Sequence, residues 1–104
     1  MTAANREDID HGGRLLLFVT GEAPRSRRAR TNLRNVLKAR GGDPDQVVEI
    51  DLLRQPERAI RHRMFATPAL LRTDAAGTES VLYGDLSDSV RLHRFLDDLP
   101  DEET

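Results

Sequence analysis

The chain has 104 residues, of which 33% are charged and 4% are aromatic, and its formal net charge at pH 7 is −2. This length predicts one domain with a single, mostly aliphatic core under a heavily charged surface. The sequence contains no cysteine, which excludes disulfides, thiolate metal sites and thiol redox catalysis. The slightly negative net charge argues against a general polyanion-binding protein.

Both ends of the sequence are polar, so we expect one domain over residues 14–99 between them. Residues 1–13 lack the basic and apolar segments of a targeting peptide, so no signal or transit peptide is expected there. Because the segment is polar, we predict that it is a disordered N-terminal arm. Residues 100–104 are predicted to be an acidic tail. No apolar run approaches the roughly 20 residues that cross a bilayer, so the expectation is a cytoplasmic protein without a membrane partner.

The first half of the chain predicts a strand, a helix and a second strand. Five consecutive apolar residues at 15–19 are typical of a strand that is buried on both faces. A helix is predicted from Pro24 or Ser26 to residue 40, where Gly41 and Gly42 stop it. Residues 47–52 predict a second strand, parallel to the first because the connection between them is short.

The second half predicts a helix, a hairpin and a terminal helix. Residues 55–64 favour a short helix, and residues 69–72 and 80–83 favour two antiparallel strands joined by a polar turn. Ser87 or Asp88 is predicted to cap the last helix before Pro100. Its predicted apolar face consists of Val90, Leu92, Phe95, Leu96 and Leu99. The resulting βαβαββα order predicts an α/β, thioredoxin-like fold with a mixed four-stranded sheet and helices on both faces.

The Ala66-Thr67-Pro68 segment enters the third predicted strand and fits the cis-proline corner of that fold. The trans preference of an X-Pro bond is within about 1 kcal/mol, so tertiary contacts can hold the cis form. We therefore predict a cis-proline corner at Thr67 and Pro68. In redox relatives this corner binds extended peptides or glutathione, which makes a cysteine-free adaptor with that binding activity one candidate function.

Four blocks of the sequence resemble the KaiB family of circadian-clock proteins. They are residues 17–26 (LFVTGEAPRS), 50–56 (IDLLRQP), 66–68 (ATP) and 84–88 (GDLSD). The resemblance covers roughly residues 14–99. It implies a non-enzymatic clock component, without a cofactor, that binds the ATPase KaiC and interacts with KaiA-like or histidine-kinase partners.

Family membership also implies two alternative folds that share the first half of the chain. One is a βαββααβ ground state that forms dimers or tetramers, and the other is the thioredoxin-like monomer that engages KaiC. The predicted switch residues are Gly84, Asp85 and Phe95. Because Phe95 stands where clock members often have glycine, it removes a helix penalty of about 1 kcal/mol. We expect this chain to rest in the thioredoxin-like state.

The first predicted helix is rich in arginine and contains no acidic residue. Such a run is either a solvated face or a surface for an acidic partner, and nucleic acid is a weaker option because no aromatic residues are interleaved. Acidic residues at 43–51 offer pairing partners within an oligomer. The predicted partner-binding surface consists of Arg25, Arg28, Glu49, Arg54 and Arg63.

No catalytic or metal site is predicted. His11, His62 and His93 are scattered and lack the spacing of metal ligands. Ser26 and Thr67 have no general base nearby in the sequence.

Overall fold

The computed structural model describes residues 14–97, which form a four-stranded mixed sheet with helices on both faces. The elements in chain order are β1 (Arg14–Val19), α1 (Pro24–Ala39), a 3₁₀ helix (Pro44–Gln46), β2 (Val48–Asp51), α2 (Pro56–Arg61), β3 (Ala69–Thr73), β4 (Glu79–Tyr83) and α3 (Ser89–Asp97). The predicted βαβαββα order is confirmed. The predicted arm at 1–13 and tail at 100–104 lie outside the described residues.

The strand order in the sheet is β2-β1-β3-β4. β1 and β2 are parallel, as the short crossover predicted, and β3 is antiparallel to both β1 and β4. The register therefore brings the last residues of β1, β2 and β4 and the first residue of β3 to one end of the sheet. We call this the corner end, marked by Val19, Asp51, Ala69 and Tyr83.

The sheet is buried on both faces by two separate apolar clusters. α1 and α3 cover one face, where Leu17, Leu70 and Leu92 are among the buried residues. α2 covers the other face, where Phe18 and Ile50 are fully buried. Consecutive apolar residues in β1 are needed because neighbouring side chains enter opposite clusters. None of the helices within residues 14–97 has the length and apolarity to span a membrane.

The helix ends follow local sequence signals. Pro24 begins α1, and the helix stops before Gly41, which adopts a positive φ of 80° that glycine favours. Between the two predicted caps of α3, the structure selects Asp88, whose carboxylate accepts the Arg91 N–H at 3.1 Å. One prediction was wrong: Val90 is 66% exposed and lies outside the apolar face of α3.

Candidate functional site

The Thr67–Pro68 peptide bond is cis and lies at the corner end of the sheet. The Thr67 hydroxyl is 2.5 Å from the Thr20 hydroxyl, which follows β1. The Pro68 carbonyl accepts the Gly84 N–H at 3.0 Å, just after β4. The corner is thus bonded to two neighbouring strands.

The first turn of α1 is linked to this corner through Thr20 and contains the buried residue Ser26. Ser26 is 1% exposed, and its Oγ accepts the Thr20 N–H at 3.0 Å. Among residues 14–97, no group of three histidine or acidic side chains is placed to hold a metal ion. Thr20 links the two features, because its N–H donates to Ser26 and its hydroxyl lies against that of Thr67.

Asp51 organises the turn after β2. Its Oδ1 accepts the N–H groups of Gly21 at 3.0 Å and Leu53 at 2.9 Å. These two backbone hydrogen bonds hold the pKa of Asp51 below its usual value because they favour the carboxylate. Leu53 lies over Gly21, where a Cβ would approach its Cδ1 to 3.1 Å, yet its side chain remains 70% exposed.

The segment from Gly84 to Asp88 is fastened to α1 through Asp85. Arg28 pairs with the Asp85 carboxylate at 3.1 Å, and Asn32 donates to the Asp85 carbonyl at 2.9 Å. Hydrogen bonds from Ser87, then from Arg28, lower the pKa of Asp85 to about 2. The next residue, Leu86, has a positive φ and is buried in the apolar cluster under α1 and α3, so this segment also contributes to the core.

α3 is held at its other end by both packing and charge. Phe95 packs against the buried cluster between α1 and the sheet, and the Arg72 guanidinium lies 5.9 Å from its ring centre. Arg40, just after α1, pairs with Asp97 and lies 3.2 Å from Nδ1 of His93. The hydrogen bond from Arg40 lowers the pKa of Asp97. Both ends of α3 are therefore tied to α1.

The predicted switch residues occupy different places in this structure. Gly84 has a φ of 112° and donates its N–H to the corner. Asp85 is bonded to α1, and Phe95 is half-buried about one helix length away. The consecutive residues Gly84 and Asp85 therefore bond to the corner and to α1, whereas Phe95 packs separately against the apolar cluster.

The predicted partner surface divides into engaged and available side chains. Arg28 pairs with Asp85, and Glu49 accepts a hydrogen bond from Arg30 at 2.7 Å, which raises the pKa of Arg30. Within residues 14–97, the exposed side chains of Arg25, Arg54 and Arg63 have no carboxylate within 4.0 Å. Arg25 and Arg54 follow β1 and β2 at the corner end.

The acidic residues after α1 pair within this chain. Glu49 bonds to Arg30, and Asp45 lies 3.9 Å from Arg34.

Two of the three histidines have packing or polar contacts. The His62 ring meets Phe18 edge-on at 5.7 Å and lies 3.5 Å from the Glu79 carboxylate. His93 contacts Arg40, whereas His11 lies outside the described residues.

Sequence reasoning missed a set of exposed apolar side chains near the corner. Leu53 is 70% exposed, Phe65 is 77% exposed and Tyr83 is 55% exposed. Leu53 and Tyr83 follow or end strands at the corner end, and Phe65 precedes Thr67 by two residues. The only sequence signal for this exposed set was the position of Phe65 beside the Ala66-Thr67-Pro68 block. Leu53, Phe65 and Tyr83 do not form an apolar periodicity with one another.

Comparisons with known proteins agree with this architecture. Mitochondrial thioredoxin 3 of Saccharomyces cerevisiae superposes with a TM-score of 0.71 at 14% identity, covering 92% of this chain and 87% of that chain. Fasciola hepatica thioredoxin gives a TM-score of 0.67 at 15% identity, covering 91% of each chain. These matches establish a thioredoxin-like fold.

Sequence relatives identify the family within that fold. The circadian clock protein KaiB3 of a Synechocystis species is 31% identical over 87 residues, which cover 84% of each chain. The circadian clock oscillator protein KaiB of Parasynechococcus marenigrum is 36% identical over 88 residues, covering 85% of this chain and 84% of the relative. The KaiB domain family model matches residues 16–97. With this match across the whole described fold, the chain belongs to the KaiB family.

Proposed function

We propose that this protein is a non-enzymatic, cytoplasmic component of a clock or signalling system that binds a KaiC-family ATPase in its thioredoxin-like state. The observation that carries the proposal is the match to the KaiB domain over residues 16–97, in a chain that has no cysteine for thiol chemistry. Relatives at 31% and 36% identity are named circadian clock proteins. KaiA-like and histidine-kinase proteins are further candidate partners.

The corner end supports a protein-binding role by its surface chemistry. Apolar side chains at Leu53, Phe65 and Tyr83 are exposed near the unpaired cations of Arg25 and Arg54. Exposed aromatic and arginine side chains together are enriched at protein interfaces. We assign the ATPase contact to this surface and include Arg63 as a further exposed cation, while the exposed side chains of Arg28 and Glu49 are engaged with Asp85 and Arg30.

The thioredoxin-like fold is proposed as the resting state, with the βαββααβ oligomer as a minor alternative. The contacts that favour it are those of α3: the Phe95 packing, the Arg40–Asp97 pair and the Asp88 cap. A partner that binds only one of two states shifts the population by its differential affinity. Backbone NMR shifts are expected to be helical over residues 92–96, and strand-like shifts there would contradict this resting state.

The ATPase proposal is tested by pulldown with the KaiC-family protein of the same source, in ATP and in ADP, followed by size-exclusion chromatography. A complex is expected in at least one nucleotide state. Arg54→Glu is expected to weaken it about tenfold, since a reversed charge disrupts complementarity. The control is Lys38→Glu, which reverses the charge of an exposed lysine in the last turn of α1, at the opposite end of that helix from Arg25. The proposal fails if no nucleotide state gives a complex, and the surface assignment fails if both variants behave alike.

Glutathione or peptide binding at the Thr67–Pro68 corner is the alternative that the fold suggests. The Thr67 hydroxyl is already engaged by Thr20, and no cysteine is present to form a mixed disulfide. Titration of the same protein with reduced glutathione is therefore expected to leave the NMR signals of residues 67 and 68 unchanged.

A further inference from the structure

A cleft of about 120 Å³ opens between the first turn of α1, the end of β4 and the first turn of α3. Arg25 enters it from α1, and Arg91 enters it from α3. The exposed ring of Tyr83 lines the same cleft. Three elements distant in sequence thus bring two guanidinium groups and a phenol to one concave surface.

Gly84 forms part of the wall of this cleft beside Arg25. A Cβ at Gly84 would lie 3.8 Å from Nη2 of Arg25, which is an ordinary van der Waals distance. Gly84 is fixed there by its hydrogen bond to the Pro68 carbonyl and by a φ of 112°. The backbone beside Arg25 is therefore bonded to the cis-proline corner.

The cations of the cleft are unpaired, whereas its acids are engaged. Within residues 14–97, neither Arg25 nor Arg91 has a carboxylate within 4.0 Å. Asp85 pairs with Arg28 and accepts the Ser87 N–H, whereas Asp88 lines the cleft as a carboxylate that caps α3 by accepting the backbone N–H of Arg91. The two guanidinium groups, which have no carboxylate within 4.0 Å among residues 14–97, then favour an anion in the space between them.

We propose that the Arg25–Arg91 cleft binds the phosphate group of a phosphomonoester. Each guanidinium presents paired N–H donors that match phosphate oxygens, and the Tyr83 hydroxyl supplies a further donor at the mouth of the cleft. The volume admits one phosphate group, with the remainder of the ligand outside over the Tyr83 ring. This site goes beyond the proposed ATPase contact, and the isolated protein is sufficient to test it.

The test is a titration of the full chain with inorganic phosphate and with phenyl phosphate, followed by backbone and arginine side-chain NMR at constant ionic strength. Saturable shifts are expected at Arg25, Arg91 and residues 83–89. Arg25→Gln and Arg91→Gln are each expected to weaken binding about tenfold, the loss typical of one charge-assisted hydrogen-bonding group. Phenyl phosphate is expected to bind more tightly than inorganic phosphate because its ring stacks on Tyr83.

Two control variants separate the cleft from the general surface charge. Arg27→Gln on α1 and Arg94→Gln on α3 each remove one exposed arginine that does not line the cleft. They are expected to bind phosphate like the unmodified chain. Equal weakening in all four variants, or shifts spread over the whole of α1, would overturn the site. Retained helical NMR shifts in each variant exclude unfolding as the cause, and the outcome is independent of whether the ATPase binds.

Discussion

Replacement of Phe95 by glycine tests how much the last helix contributes to the stability of the thioredoxin-like fold. The ring is half-buried against the cluster between the sheet and α1, so its removal costs about 1.5 kcal/mol of apolar burial. Loss of the contact with Arg72 adds about 0.5 kcal/mol, and glycine in a helix interior costs about 1 kcal/mol relative to alanine. Together these give about 3 kcal/mol, or about a hundredfold change in population.

Urea unfolding followed by circular dichroism measures this change, with the slope checked for constancy between variants. Phe95→Ala is the matched variant that retains helix propensity, and it is expected to be about 1 kcal/mol more stable than Phe95→Gly. Arg94→Gly, on the exposed side of the same helix, is expected to lose only that propensity. If Phe95→Gly is no less stable than Arg94→Gly, the ring contributes nothing and the reasoning is refuted. NMR of Phe95→Gly then shows whether the lost population is unfolded or has a strand over residues 92–96.

Asp85→Asn is expected to lower stability at pH 7, and the difference from the unmodified chain should vanish on acidification. The folded pKa of about 2 lies below the ordinary aspartate pKa of 3.8, so the stabilisation is complete above about pH 4 and is lost as the pH falls towards 2. A difference that stays constant from pH 7 to pH 2 would contradict this assignment. Ser26→Ala leaves the half-buried Thr20 N–H without its acceptor and is expected to cost about 1–2 kcal/mol in urea unfolding. Thr31→Ala, at an exposed position of the same helix, should change stability by less than about 0.5 kcal/mol, and equal losses would exclude the Ser26 hydrogen bond as the cause.

The strands and helices were predictable because their signals are local. The apolar run in β1 reflects burial on two faces, and the Pro24 and Gly41 boundaries of α1 depend on backbone preferences of single residues. The choice between Ser87 and Asp88 as a cap remained open, since both residue types are favoured at the N-cap position. Val90 was assigned to the apolar face by periodicity, but the two apolar clusters are filled without it.

The candidate site was predictable only in part. The corner at Thr67 and Pro68 and the arginines of α1 stand out in the sequence, but their partners do not. Arg28 and Asp85 are separated by 57 positions, and Thr20 and Thr67 by 47. No local pattern indicates which cation of a basic helix meets a distant acid and which stays available, because that depends on how α1 crosses the sheet.

The sequence by itself determined the element order, the absence of thiol chemistry and the resemblance that the family match confirmed. These properties follow from residue types, short-range periodicity and the spacing of four blocks. Only the tertiary structure decided that Leu53 and Tyr83 are exposed at the corner end and that Arg25 and Arg91 face one cleft. The physical reason is that strand pairing and helix packing bring these residues together from separate parts of the chain, and exposure and charge pairing are properties of that assembly.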